Sequence, residues 1–345
     1  MPEDNTLVST ASPGVAASGY DAARRGAAFF DRADRGFIVV SGNDRALYLH
    51  GLLTNDVAGL KAGEGCYAAY LTPQGRMIAD LWVYELGDVI LLVMSRDVKD
   101  AVLTKLDQFI FTEDVQLGDV SSTFACVAIV GPGAATVTTQ VLKGAPLETL
   151  AALGEHGNLR AEFASAAAII ARVTDTGEPG YDLYVETAHG ESLKAALRAA
   201  GASELDAPLV ETLRIEAGIP KFHLDMDEDT IPLEAGIESR AISLTKGCYV
   251  GQEVIIRVLH RGHGRVARKL VGLMLDGAAT PRRGAAVHSG DREIGHVTSS
   301  ARSPALQRPV ALAYVHRDFV AEGTPVTVDG APATVTAVPF VPRRF

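Results

Sequence analysis

Cysteine is nearly absent: the 345 residues hold three, Cys66, Cys126 and Cys248, far apart in the chain. Without a CxxC pair there is neither a zinc knuckle nor a thioredoxin-type motif. An odd number of thiols in a large chain points to reduced cysteines and a cytoplasmic setting. Three dispersed cysteines also cannot supply a Cys₄ iron–sulfur ligand set. GxGxxG and GxxxxGKS/T are missing, which removes the usual dinucleotide and phosphate-loop signatures. HExxH is missing too, and His260-x-x-His263 reads as a solvated loop, so no metal site is expected. No apolar run approaches the roughly 18 residues that span a bilayer, so no membrane partner is expected. The first residues carry acid where a signal peptide needs base, and residues 1–22 read as a flexible leader. No repeat of about 20–50 residues stands out, which disfavours solenoids and propellers.

What is present is an ordinary packed composition, 47% hydrophobic and 21% charged, with 32 Lys and Arg against 42 Asp and Glu and a net charge of −10. An acidic surface repels a phosphate backbone and excludes a general nucleic-acid coat protein. Apolar alternation predicts strands at 37–40, 66–71, 77–85, 89–94, 124–130, 169–173 and 181–185. Thr72-Pro73-Gln74-Gly75 reads as the turn of a hairpin. Helical spacing marks 45–53, with Asp44 as its cap, and 97–109, 191–200 and 208–217. Mixed strands and helices without a long parallel rhythm favour α+β. From Lys269 onward only short strands remain, at 270–275, 293–299, 310–315 and 331–338, which reads as a small barrel or sandwich.

The densest chemistry lies in Lys246-Gly247-Cys248-Tyr249-Val250-Gly251-Gln252-Glu253: a lysine, a thiol, a phenol, an amide and a carboxylate within eight residues. Val250, Val254 and Val258 predict a helix emerging from this loop. Glu253 and Arg257 are spaced for an ion pair on its surface. Between Arg240 and Lys269 there are seven basic residues and one acid, a basic island suited to a defined anion. Lys246 and the nascent helix would lower the Cys248 pKa and make it a reactive thiol, whereas Cys66 and Cys126 lie in apolar strand patterns.

KGCYVGQE resembles the signature of the folate-binding YgfZ family, relatives of the glycine-cleavage T-protein. LYLHGLLTNDV (47–57), LTPQGRMIADLWVY (71–84), TGEPGYDLYVE (177–187), RIEAGIPKF (214–222) and IPLEAG (231–236) look similar in the same order. The resemblance implies an α+β fold of ferredoxin-like units in a ring with a central folate cavity, over residues 23–265 as two interleaved subdomains. A C-terminal β-barrel would cover 266–345. It also implies tetrahydrofolate as cofactor, with Asp182 at the pterin, where a carboxylate accepts two parallel N–H donors. Asn55, Tyr249, Gln252 and Arg257 would be further binding residues, and Arg214 would hold the glutamate tail. Cys248, Lys246 and Asp80 are the candidate catalytic residues.

T-proteins usually carry two adjacent aspartates where this chain reads Ala79-Asp80. That departure, with the octapeptide, implies an accessory role in iron–sulfur cluster assembly or repair. Iron–sulfur client or assembly proteins would then be partners, with effects on tRNA modification. The alternative is a folate-dependent aminomethyltransferase acting on an amine. A third reading is a non-catalytic folate-binding module that docks RNA through the basic island.

Overall fold

The computed structural model describes residues 13–261 and 265–342. Period-two apolar strands build two sheets, because alternating side chains leave each strand two faces to bury. The first sheet runs in the order Gly65–Leu71, Met77–Glu85, Ile90–Ser95, Arg35–Ser41, Gln116–Asp119, antiparallel throughout. Its central strands are buried on both faces. The turn after Leu71 closes with Gly75 at φ 75°.

The second sheet runs Ser203–Glu204, Ala28–Asp31, Phe124–Val130, Gly180–Glu186, Ala166–Val173, Asn158–Phe163, and only its outermost pair is parallel. Ala28–Asp31 is separated from its neighbours by the whole of the first sheet, so the two sheets interleave in the chain. They pack on each other through aromatic side chains. The Tyr184 ring lies 5.7 Å from Phe37, edge-on, and 6.3 Å from Tyr84, the offset geometry that aromatic quadrupoles favour.

The C-terminal segment closes a six-stranded barrel: Arg268–Leu275, Arg308–His316, Arg292–Ser303, Ala286–Ser289, Pro325–Val328 and Ala331–Thr336. Val271, Leu273, Leu275, Ala311, Ala313 and Val315 fill its interior from alternate positions, as a small barrel requires. The α+β class and the C-terminal barrel expected from the sequence are both present. Among the described residues no helix is long and apolar enough to cross a membrane.

Two local expectations are corrected. Pro13–Arg25 is a helix rather than part of a flexible leader, with Tyr20 and Ala23 buried. Asp44 does precede the helix Arg45–Leu52, but makes no side-chain cap. Its carboxylate accepts from the Asp114 backbone N–H at 2.8 Å instead, tying the helix start to a distant loop.

Helix Ala207–Glu216 joins sheets and barrel. Asp206 caps it, accepting from Leu209 N–H at 2.9 Å, and the fully buried Glu216 ends it. The Glu216 carboxylate accepts from Tyr20 Oη at 2.7 Å, from Arg24 and from Ser303 Oγ. Its carbonyl accepts from Phe340 N–H at 2.8 Å.

Candidate functional site

A cavity of about 1170 Å³ opens between the first sheet, the helix Ala207–Glu216 and the barrel. Alternation along Met77–Glu85 decides what reaches it. Asp80, Trp82 and Tyr84 share one face; Tyr84 is closed off by Tyr184, while Asp80 and Trp82 line the cavity. Ala79 points the other way, into the core, with no exposed surface.

The Asp80 carboxylate is held in place. Its Oδ2 accepts from Tyr67 Oη at 2.7 Å across the hairpin. Burial pushes its pKa above the ordinary carboxylate range, although Tyr67 and the charges of Arg35 and Arg240 pull it back. The guanidinium of Arg35 stacks over Trp82 at 4.2 Å, and that of Arg240 over Tyr67 at 5.0 Å. Tyr67 and Arg35 were missed by sequence reasoning, which placed Arg240 only in the basic island and Trp82 only beside Asp80. The only signal for Trp82 was its place two residues beyond Asp80 on a strand; nothing local marks Arg240 as a neighbour of Tyr67.

Asp182, expected at the pterin, is buried and faces Arg32, whose Nε donates to it at 2.9 Å. The other two Arg32 nitrogens donate to Asp175, each at 2.7 Å. Burial raises the Asp175 pKa, but the attraction of Arg32 outweighs it and holds this carboxyl below its ordinary value. The cavity wall here is Phe30, Arg32 and Asp175, not Asp182. Arg214 does border the cavity, but a guanidinium has five N–H donors and all are committed inside the protein. They go to Glu211 twice, Asp225, the Ile219 carbonyl and Ser299 Oγ. No donor is left for a ligand carboxylate, so the tail-binding expectation for Arg214 is corrected to a structural one.

The octapeptide is not on the cavity wall. Lys246 Nζ donates to the carbonyls of Leu53 at 2.6 Å, Asn55 at 3.1 Å and His50, capping the C-terminal end of helix Arg45–Leu52. Burial of the ammonium pushes its pKa down to about 8. Asn55 donates from Nδ2 to the carbonyls of Tyr67 at 2.8 Å and Arg240 at 3.0 Å. It therefore positions the two residues whose side chains stack beside Asp80.

Gly251 sits at φ 85°, and a Cβ there would lie 2.6 Å from the Thr72 carbonyl oxygen, so the glycine lets the loop dock on the hairpin turn. Tyr249 is buried. Gln252 begins a helix of five residues, Gln252–Ile256, shorter than the valine spacing suggested; it continues as a wider-wound turn, Arg257–Arg261. Arg257 pairs with Glu253 at 2.5 Å on the surface. The basic island is thereby dispersed: Arg240 faces the cavity, Lys246 is capped by carbonyls, and Arg268 pairs with Glu234 at 3.3 Å. His263 lies outside the described residues.

Cys248 is exposed, while Cys66 and Cys126 are buried. Burial pushes the Cys66 thiol up to about 12 and that of Cys126 well above its ordinary value. Because the thiolate is the nucleophile, iodoacetamide at neutral pH is expected to label Cys248 first, as read by peptide mass spectrometry. Early labelling of Cys66 or Cys126 would contradict this placement.

Known proteins resemble this chain over nearly its whole length. The GCVT N-terminal domain family matches residues 9–246, and the glycine cleavage T-protein C-terminal barrel domain matches 268–342. A protein from Rubrobacter xylanophilus named aminomethyltransferase is 33% identical over 328 residues, covering 94% of this chain and 86% of its own. One of the same name from a Nostoc species is 32% identical over 335 residues, covering 93% and 86%. The crystal structure of glycine cleavage system aminomethyltransferase T from Bartonella henselae superposes with a TM-score of 0.83 at 24% identity, covering 96% of this chain and 90% of its own. The chain therefore belongs to the glycine cleavage T-protein family, in both its N-terminal domain and its C-terminal barrel.

Proposed function

We propose that the protein is a folate-dependent aminomethyltransferase, moving a one-carbon unit from an aminomethyl donor to tetrahydrofolate. One observation carries the reading: a buried, hydrogen-bonded carboxylate, Asp80, on the wall of a cavity large enough for a folate. The iron–sulfur accessory role expected above is withdrawn. Relatives 32–33% identical across more than nine-tenths of the chain are named aminomethyltransferase. The octapeptide supports a place near the YgfZ branch by descent and carries no iron–sulfur role with it.

Ala79 no longer argues against transfer. A second carboxylate at that position would point into the core, away from the cavity. The carboxylate that faces the cavity is the one retained.

The residues fit the ligand. Trp82 and Tyr67 offer ring faces, and the Nε of Arg35 is buried without a partner among the described residues. Tetrahydrofolate would supply the amine nitrogens that accept the carbon. The donor is already at the oxidation level of formaldehyde, so nothing is oxidised: the methylene carbon loses its bonds to the carrier and to its nitrogen and gains two to the acceptor nitrogens, whose two protons end on the carrier and on the departing ammonia. Asp80 acts at Oδ1, because Oδ2 is taken by Tyr67. From there it opposes positive charge on the donor nitrogen and moves its proton, the task of a positioned general acid–base. Arg32 keeps Asp175 ionised at the wall, and Asn55 keeps Tyr67 and Arg240 in register.

The direct test is purified protein with tetrahydrofolate and an aminomethyl-loaded carrier protein, following release of methylene-tetrahydrofolate and ammonia. Absence of both products sinks the reading. Binding has its own reporter: Trp82, the only tryptophan, lines the cavity. Saturable quenching of its fluorescence by tetrahydrofolate is expected, and an unchanged spectrum at millimolar ligand would refute binding there.

A further inference from the structure

A second, smaller cavity lies against the outside of the barrel. Alternation along the strands decides what faces it. Val271, Val297, Ala313 and Val315 fill the interior, so Arg268, His296 and Tyr314 point outward, and His296 lies directly across from Tyr314 in the sheet. Residues 224–227 and Arg283 complete a space of about 110 Å³ over them. At roughly 30 Å³ per water in the liquid, that space suits one small ion or head group.

Its walls hold more donors than acceptors. Tyr314 is 3% exposed, and its Oη is buried without a hydrogen-bond partner among the described residues. The neighbouring Thr230 hydroxyl is taken up by Asp227: it donates to the carboxylate at 2.7 Å and accepts from the backbone N–H at 3.1 Å. The Arg268 guanidinium stacks over the Tyr314 ring at 4.7 Å and reaches Glu234 only through Nε, at 3.3 Å. Arg283 donates from Nη2 to the carbonyls of His223 at 2.8 Å and Leu224 at 3.0 Å, and makes no ion pair among the described residues. The His296 ring lies 6.1 Å from that of Tyr314; burial and the charge of Arg268 hold its pKa below the ordinary value. Two acids share the walls. Asp225 is neutralised by Arg214 at 2.6 Å. Asp227 is exposed, so water screens it, and its Oδ1 is held by Thr230 and by the Asp229 N–H at 3.0 Å.

A buried donor without an acceptor costs free energy unless a ligand satisfies it. These donors come from three strands and a loop, so they approach the space from several directions. A planar carboxylate has only two oxygens to offer them, whereas a tetrahedral oxyanion presents oxygens all round, and guanidiniums bind such groups through charge-assisted pairs. We propose that this cavity binds a phosphate-class oxyanion, free or as the end of a monoester, held by Arg268, Arg283, His296 and Tyr314. None of the four borders the larger cavity, although Leu224 lines both. The site therefore stands whether or not the protein transfers a one-carbon unit.

Calorimetry on the full chain at constant ionic strength tests this, with inorganic phosphate, glycerol 3-phosphate and acetate titrated separately. Saturable phosphate binding to one site is expected, with acetate at least about tenfold weaker. Arg268→Gln, Arg283→Gln and Tyr314→Phe are each expected to weaken phosphate binding by about tenfold, the loss of one hydrogen bond to a charged group. Arg283→Lys keeps part of the affinity. Arg292→Gln, an exposed position on the same strand as His296 but outside the cavity, leaves it unchanged. Circular dichroism checks each fold, and the exposed Arg283 supplies the readout if Tyr314→Phe fails to fold. Glycerol 3-phosphate binding as tightly as phosphate supports a monoester ligand, and weaker binding supports the free ion. No saturable phosphate binding at millimolar ligand overturns the proposal, as does affinity unchanged by the Arg268 and Arg283 variants. An equal loss in Arg292→Gln marks diffuse surface charge and overturns it too. Equal binding of acetate overturns the phosphate class, and displacement of phosphate by tetrahydrofolate overturns a separate site.

Discussion

Asp80→Asn is expected to lower methylene-tetrahydrofolate formation by about two to four orders of magnitude, the usual contribution of a positioned acid–base group. The amide keeps the shape and still accepts from Tyr67, but it neither carries charge nor moves a proton. The same change is expected to leave stability unchanged or to raise it. Burial lifts the Asp80 pKa above its ordinary value, so the folded state holds a proton that the unfolded chain has released. Stability is then lost as pH rises from the ordinary carboxylate value through the raised one. Removing the charge relieves that loss. Transfer by the wild type should rise with pH across the same window, and the acid limb should vanish in Asp80→Asn. A variant that is both unstable and inactive would mean that Asp80 merely supports the hairpin. Urea melts beside rate measurements separate the outcomes.

Arg214→Met is expected to have the largest effect on stability, about 3–5 kcal/mol, the cost of leaving a buried charge without its partner. Asp225, whose side chain has no exposed surface, pairs with Arg214 at 2.6 Å. Arg214 also reaches Ser299 on the barrel at 2.8 Å. Its loss takes the cation away from a carboxylate at the junction of helix and barrel, which keeps only neutral donors, Thr298, Ser299 and the Lys221 N–H. Denaturant titration reads the cost directly. Adding Asp225→Leu to Arg214→Met should recover part of it, since an apolar pair can replace a buried ion pair, while Thr298, Ser299 and the Lys221 N–H lose their shared acceptor. A single variant as stable as the wild type would show that the junction does not depend on this pair.

How much of this was legible in the sequence depended on distance along the chain. Phe124–Val130 could be bounded to the residue, because seven apolar positions between polar flanks leave little choice. The hairpin around Gly75 was readable from its turn residues. Ala286–Ser289 and Pro325–Val328 were not, since four residues carry too little periodicity; closure of the barrel makes them strands. The helix Pro13–Arg25 hid among small residues, and the packing of Tyr20 against the rest of the chain has no local signature.

The site divides in the same way. Asp80 was visible through its motif. Its setting was not: Tyr67 comes from the neighbouring strand, and Arg32 meets Asp182 across 150 positions. The octapeptide misled for a physical reason. Of its closely spaced functional residues, Lys246 caps a helix and Gly251 seats the loop on a hairpin turn, roles equally demanding of residue type.

The interleaving of the two sheets has a consequence for how the chain leaves the ribosome. The first sheet uses only residues 35–119, a continuous stretch with short loops, so it is complete early and folds from local contacts. Strand Ala28–Asp31 emerges before it, yet waits for Phe124–Val130 to pair. The node at Glu216 gathers Tyr20, Arg24, Ser303 and Phe340, so it is complete only once the strands of the barrel have been made. The helix Pro13–Arg25 is thus secured by residues made long after it. Nascent chains halted before the barrel should show a protease-resistant core around residues 35–119 and an N-terminal segment still open to cleavage.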